Sequence, residues 1–140
     1  MRLSLCGAAL LAMISTGAFA EQYYCAFASN AKQVPTDLTF VLSDTSDRAL
    51  IDDSVRRPLD RGRKFAQIDS DTNHRIRLKW RFKSVPRAMH RTFAHPAPGN
   101  DVDYQLTINK SDLSAVVVVT HYVVYGQPEL TRAQGSCRRV

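Results

Sequence analysis

The chain has 140 residues, with 19 Lys and Arg against 13 Asp and Glu, a formal net charge of +6 and three cysteines. That length suits one domain with a modest core, and argues against a multidomain assembly. The surplus of cations turns attention to anionic partners.

The first twenty residues have the form of a secretory signal peptide. Arg2 supplies a positive start, Leu3 to Phe19 carries no charge, and Ala18-Phe19-Ala20 is the small-x-small pattern cut by signal peptidases. The apolar run is short for a membrane span, which needs about 20 residues, and it ends in a cleavage site. No transmembrane anchor is therefore expected. Cys6 follows a bulky leucine rather than a small residue and is not read as a lipidation site. The expectation is a signal peptide of bacterial type over 1–20, one β domain over 21–140, and a periplasmic or secreted destination.

Removal of 1–20 leaves Cys25 and Cys137 as the two cysteines. An even number in an oxidising compartment points to a disulfide. Two cysteines with no CxxC pair make a poor zinc site. A bridge between them joins the ends of the domain, and on the chain-entropy account so long a loop stabilises by about 4–5 kcal/mol.

Along the domain the dominant period is two. Leu38, Phe40 and Leu42 alternate with polar or smaller residues. From Arg75 to Lys83 the alternation has no fault, with Ile76, Leu78, Trp80 and Phe82 on one face and five cations on the other. Val102, Tyr104, Leu106 and Ile108 alternate with Asp103, Gln105, Thr107 and Asn109. Such patterns mark strands with one dry and one wet face. Leu113 to Tyr125 is β-branched and aromatic almost throughout, which predicts a long strand covered on both sides or one running along a barrel wall.

Asp44–Asp47, Asp69–Asn73 and Lys110–Asp112 read as hairpin loops. Between Ser84 and Pro96 the spacing of Val85, Met89 and Phe93 admits one short helix. The fold class expected is all-β with room for that helix: a small antiparallel β-barrel or sandwich of about seven to eight strands, closed by one disulfide.

The strongest chemical signal is the basic strand. Side chains on one strand face recur about every 6.6–7 Å, so Arg75, Arg77, Lys79, Arg81 and Lys83 form a ladder about 27 Å long. The segment Arg56 to Arg91 holds twelve basic and three acidic residues, a local charge of +9. This ladder is the candidate anion-binding site, for lipopolysaccharide, an acidic polysaccharide or an acidic protein. The plain alternative is a solvated strand face neutralised by acidic neighbours. Nucleic acid is disfavoured because the wet face has no interleaved aromatics on which bases stack.

Other chemistry is thinly represented. Asp69-Ser-Asp-Thr-Asn73 begins like a calcium loop, but the sixth position is His74 rather than Gly and the twelfth is Trp80 rather than Glu. His90 and His95 stand five apart and lack a third ligand, and His121 reads as a core or boundary residue. No GxSxG elbow, phosphate loop or free cysteine nucleophile is present. No catalytic residue, metal site or cofactor is assigned.

Tyr23-Tyr24-Cys25 near the start and Gly135-Ser136-Cys137 near the end give a layout that resembles the small envelope inhibitors of c-type lysozyme. The resemblance covers only the two ends and implies a similar β architecture. The S-G-x-G-x-x-Y stretch of those inhibitors has no counterpart here, so no functional residue carries over. A basic segment would also repel a basic lysozyme. Three functions are therefore weighed. The first is an exported binding or interaction protein with an anionic partner. The second is a lipocalin-like carrier with an apolar barrel interior, against which a core filled by Trp80, Phe82, Tyr104, Tyr122 and Tyr125 would count. The third is an enzyme of unassigned class.

Overall fold

Eight strands follow one another around a closed antiparallel barrel in this computed structural model, which describes residues 20–43, 46–55, 64–82, 101–122 and 126–140. In chain order they are β1 (Glu21–Phe27), β2 (Asp37–Leu42), β3 (Arg48–Asp53), β4 (Lys64–Asp71), β5 (Arg75–Phe82), β6 (Val102–Asn109), β7 (Ser114–His121) and β8 (Glu129–Arg139). Each pairs with its neighbour in sequence, and β8 returns to pair with β1. A ring of this kind leaves no unpaired edge strand. Of the two architectures expected, barrel and sandwich, the chain forms the barrel. No helix occurs among the described residues. The helix expected between Ser84 and Pro96 lies outside them, as do residues 1–19, Lys83, His90, His95 and Tyr125.

The period of two sends alternate side chains inward, and the inside is filled. Ile76, Leu78 and Trp80 from β5 meet Val102, Tyr104, Leu106 and Ile108 from β6, all buried. Two aromatic stacks span the interior: Tyr23 on Phe40, with ring centroids 4.9 Å apart, and Trp80 on Tyr104 at 5.2 Å. Each such side chain contributes on the order of 1.5–3 kcal/mol through removal from water. Buried alanines accompany these large rings: Ala49 is the register partner of Ala66 across β3 and β4, and Ala115 and Ala133 lie on β7 and β8. Small and large residues so interleaved fill a barrel without a central hole.

One end of the barrel is closed by the β1–β2 connection. Val34 and Pro35 are buried there, and the Tyr104 hydroxyl donates to the Gln33 carbonyl at 3.1 Å. The Trp80 indole N–H donates at 3.2 Å to the carboxyl group of Asp53, which is only 2% exposed.

Of the two readings of the valine run, covered on both sides or along a barrel wall, the second holds: Ala115, Val117 and Val119 point in, whereas Val116 and Val118 are half-buried on the outer wall. Tyr122 does not join the aromatic core: it is 41% exposed on the outside. Its strand neighbour His121 ends β7 half-buried.

The seam between β1 and β8 holds the disulfide. Cys25 and Cys137 are register partners with Cα atoms 4.0 Å apart, and their sulfurs are bonded across a sequence separation of 112. The two end motifs, Tyr23-Tyr24-Cys25 and Gly135-Ser136-Cys137, therefore face one another. Gly135 is required by close approach: a Cβ there would stand 2.1 Å from the Ala26 carbonyl oxygen and 2.6 Å from the Phe27 ring. Replacing both Cys25 and Cys137 with Ala is expected to lower unfolding free energy by about 2–5 kcal/mol, measured by urea denaturation. Gly135→Ala is expected to cost about 1–3 kcal/mol in the same assay, because backbone rather than a mobile side-chain tip must give way.

Candidate anion-binding face

The alternation that buries Ile76, Leu78 and Trp80 places Arg75, Arg77, Lys79 and Arg81 together on the outside of β5. Their register partners on β6 are Asn109, Thr107, Gln105 and Asp103, and Gln67 of β4 lies beside Lys79. The ladder expected from sequence is thus one continuous row through Arg81. Its fifth member, Lys83, lies outside the described residues.

Two carboxylates are inserted into this row. The β4–β5 register shifts between Ile68 and Ser70. The extra residue is Asp69, whose carboxylate lies 2.8 Å from Lys79 Nζ and 3.6 Å from Arg77 Nη1. A bulge of this kind re-aims a side chain that regular pleating would direct elsewhere. At the other end, Arg81 forks onto Asp103 through Nε at 2.5 Å and Nη2 at 2.8 Å, and the Tyr122 hydroxyl donates to the same carboxylate at 3.1 Å. Arg75 has no ion-pair partner among the described residues. Four cations therefore face two carboxylates, and the row keeps a positive excess.

The titration behaviour follows these contacts. Hydrogen bonding from Lys79 holds the Asp69 carboxyl below its ordinary range, and hydrogen bonding from Arg81 does the same for Asp103. Asp103 in turn raises Arg81 and, by accepting its hydrogen bond, Tyr122. The Lys79 and Arg81 side chains are 48% and 52% exposed, so the pairs sit in water. Exposed ion pairs contribute about 0–1 kcal/mol. Their main effect is to orient the cations. Arg77 differs: its side chain is 30% exposed, and its Nε is buried without a hydrogen-bond partner.

A groove of about 670 Å³ opens over the outer wall beside this row. Lys79, Arg81 and Asp103 line one side, with Gln67 and Gln105 next to them. Val118, Thr120, Tyr122 and Leu130 line the other, and Leu130 is 71% exposed. A second hollow of about 470 Å³ lies at the far end of the barrel, near Glu21, Asp47 and Ser70, where Lys110 pairs with Asp71 at 2.5 Å. Beside it the Tyr23 hydroxyl is held above its usual range, first by burial and then by its hydrogen bond to Glu21.

Sequence reasoning located the cations and missed what surrounds them. The run Asp69–Asn73, expected as a hairpin loop, is divided. Asp69 to Asp71 belong to β4, and the turn is Thr72 to His74, closed by the Thr72 N–H on the Arg75 carbonyl at 2.9 Å. The acids of this run serve as ion-pair partners of Lys79, Arg77 and Lys110. Asp103 had a visible signal, since its place in the β6 alternation puts it on the wet face. Its pairing to Arg81 depends on register, which only the folded sheet supplies. Among the described residues no cluster of three or more His, Cys, Asp or Glu is placed to hold a metal ion, and no helix is long and apolar enough to cross a membrane. No protein-family model matches the chain, and neither the curated proteins nor the solved structures include a significant match to it.

Because the folded-state pKa values of Asp69 and Asp103 are depressed, their contribution is present at neutral pH. It is lost as pH falls below the ordinary carboxylate range, about 4, through the lower folded values. The stability difference between wild type and Asp103→Asn is therefore expected to narrow as pH is lowered from 7 through about 4 and below. Urea midpoints recorded across that range provide the measurement, and a difference that widens on acidification contradicts the assignment.

Proposed function

We propose that this protein is an exported binding module of the cell envelope whose outer β5 face engages an anionic partner. The observation that carries the reading is the row of Arg75, Arg77, Lys79 and Arg81 on one wet strand face with a groove beside it. Partial neutralisation by Asp69 and Asp103 does not exhaust this face. A guanidinium carries five N–H donors and an ammonium three. The contacts to Asp103 use two from Arg81, and the contact to Asp69 uses one from Lys79. Held in place by their own carboxylates, these cations lose little rotamer freedom on meeting a ligand, which lowers the cost of binding.

The packed interior favours this reading over a small-ligand carrier, because Trp80, Tyr104, Tyr23 and Phe40 occupy the space a barrel carrier keeps for its ligand. The signal-peptide pattern of 1–20 supports an envelope setting, where phosphate-bearing and carboxylate-bearing polymers are the abundant anions.

Binding to a polyanionic matrix is expected to weaken steeply between about 50 and 500 mM salt, as screening shortens the Debye length. Replacing Arg75, Lys79 and Arg81 together with Gln removes three exposed charges and leaves Asp69 and Asp103 in place. It is expected to abolish retention on that matrix while the circular dichroism spectrum stays unchanged. Retention that is indifferent to salt, or to the triple substitution, sinks the proposal.

A further inference from the structure

The groove over β5 to β7 carries more information than its charge. Building on the anionic-partner reading, we infer that its occupant is a carboxylated sugar residue, and hence that the partner is a uronic-acid glycan rather than a phosphate-rich surface. A cluster of phosphates presents acceptors almost exclusively, and sites that take it are lined with donors. This groove is lined differently. Besides Lys79 and Arg81 it presents the Asp103 carboxylate, the carboxamides of Gln67 and Gln105, and the Thr120 hydroxyl. Carboxamides and hydroxyls both donate and accept, and a carboxylate only accepts. That mixture suits vicinal hydroxyl groups, each of which is donor and acceptor at once. Asp103, shared between Arg81 and Tyr122, also sets an acceptor beside the cations, to which a sugar hydroxyl can donate and a phosphate cluster cannot.

The apolar side of the groove fits the same occupant. Tyr122, just past the end of β7, is 41% exposed and Leu130 on β8 71%, with half-buried Val118 on β7 beside them. The Tyr122 hydroxyl is tied to Asp103 at 3.1 Å, which fixes where the ring sits relative to the cations. A pyranose has an apolar C–H face and a polar rim, so it matches an exposed aromatic set beside hydrogen-bonding side chains. The cross-strand rows set the spacing. Arg81, Asp103, Thr120 and Leu130 are successive register partners from β5 to β8, and Lys79, Gln105, Val118 and Arg132 form the next row. Neighbouring strands lie about 4.8 Å apart, so about 10 Å separates the β5 backbone from Val118 on β7 and about 14 Å separates it from Leu130 on β8, a span that takes more than one residue of a glycan. At about 670 Å³ the groove falls within the range of small-ligand sites, about 300–1,000 Å³, and it is open to solvent.

The test uses protein purified after expression from the full-length coding sequence, titrated calorimetrically at low salt with three probes. These are a short oligogalacturonate, the neutral oligogalactose of equal length, and inorganic tripolyphosphate. Oligogalacturonate is expected to bind roughly tenfold or more tightly than either of the others, as loss of a charge-assisted or a matched neutral contact implies. Gln105→Ala and Tyr122→Ala are each expected to weaken oligogalacturonate binding on the order of fivefold and to leave tripolyphosphate binding unchanged. Tyr122→Phe, which keeps the ring, separates loss of stacking from loss of the Asp103 contact, and a thermal melt of each variant checks folding. Equal affinity for tripolyphosphate and oligogalacturonate, with no effect of Gln105 or Tyr122 in correctly folded variants, overturns the sugar assignment while the anionic-partner reading stands. Absence of salt-sensitive binding to any of the charged probes overturns both.

Discussion

Closure of β8 onto β1 is the constraint on which everything else rests. Once the eighth strand pairs with the first, every residue in a strand has two destinations, the filled interior or the outer wall. The Cys25–Cys137 bond lies at that seam and joins strands more than a hundred residues apart in sequence. Gly135 lets the two backbones approach there, since any side chain would press on the Ala26 carbonyl and the Phe27 ring. The barrel manages the hazard of its valine-rich β7 in the same way: the strand is hydrogen-bonded on both sides, so its backbone offers no template for another chain.

The closed ring also accounts for the chemistry of the wall. Alternation alone would make β5 a bare cationic ladder. The folded sheet brings Asp103 opposite Arg81 by register and uses a bulge to turn Asp69 toward Lys79 and Arg77. The sequence suggested either a surface for an anionic partner or a solvated face balanced by acidic neighbours. The structure shows the acidic neighbours in place, and beside them Lys79 and Arg81 retain unused donors and about half of their exposure. Orientation rather than stability is what such pairs supply, given how little an exposed ion pair contributes.

Much of the fold was legible where amphipathic alternation was strict. β6 was readable to its ends, β5 to within a residue, and the turn at Lys110–Asp112 sits where its polar residues suggested. Legibility failed in three places, each for a physical reason. Asp69 to Asp71 look like turn residues in isolation, but strand pairing and the ion pairs with Lys79 and Lys110 hold them in β4. The valine run left open burial on both faces or a place along a barrel wall, because hydrophobicity does not record which half of a strand faces a wall of Thr, Gln and Arg neighbours. Tyr122 looked like core, yet its hydroxyl is used on the outside by Asp103. The candidate site followed the same pattern: its cations, and the wet-face positions of Asp103 and Gln105, were plain in the sequence, whereas their pairing across strands and the apolar rim were not.

The sequence by itself determined that the chain is built from one-sided antiparallel strands, that Cys25 and Cys137 are the pair available for a bridge, and that the alternation from Arg75 to Lys83 sets its five cations on one face. These are local facts, set by a period of two, a cysteine count and side-chain charge. Only the tertiary structure decided that the sheet closes into a barrel, that the interior is packed with aromatic rings, and that the cations sit beside Asp69, Asp103 and a groove. Those depend on register between strands distant in the chain, and register is fixed by the joint packing of all eight strands around one interior.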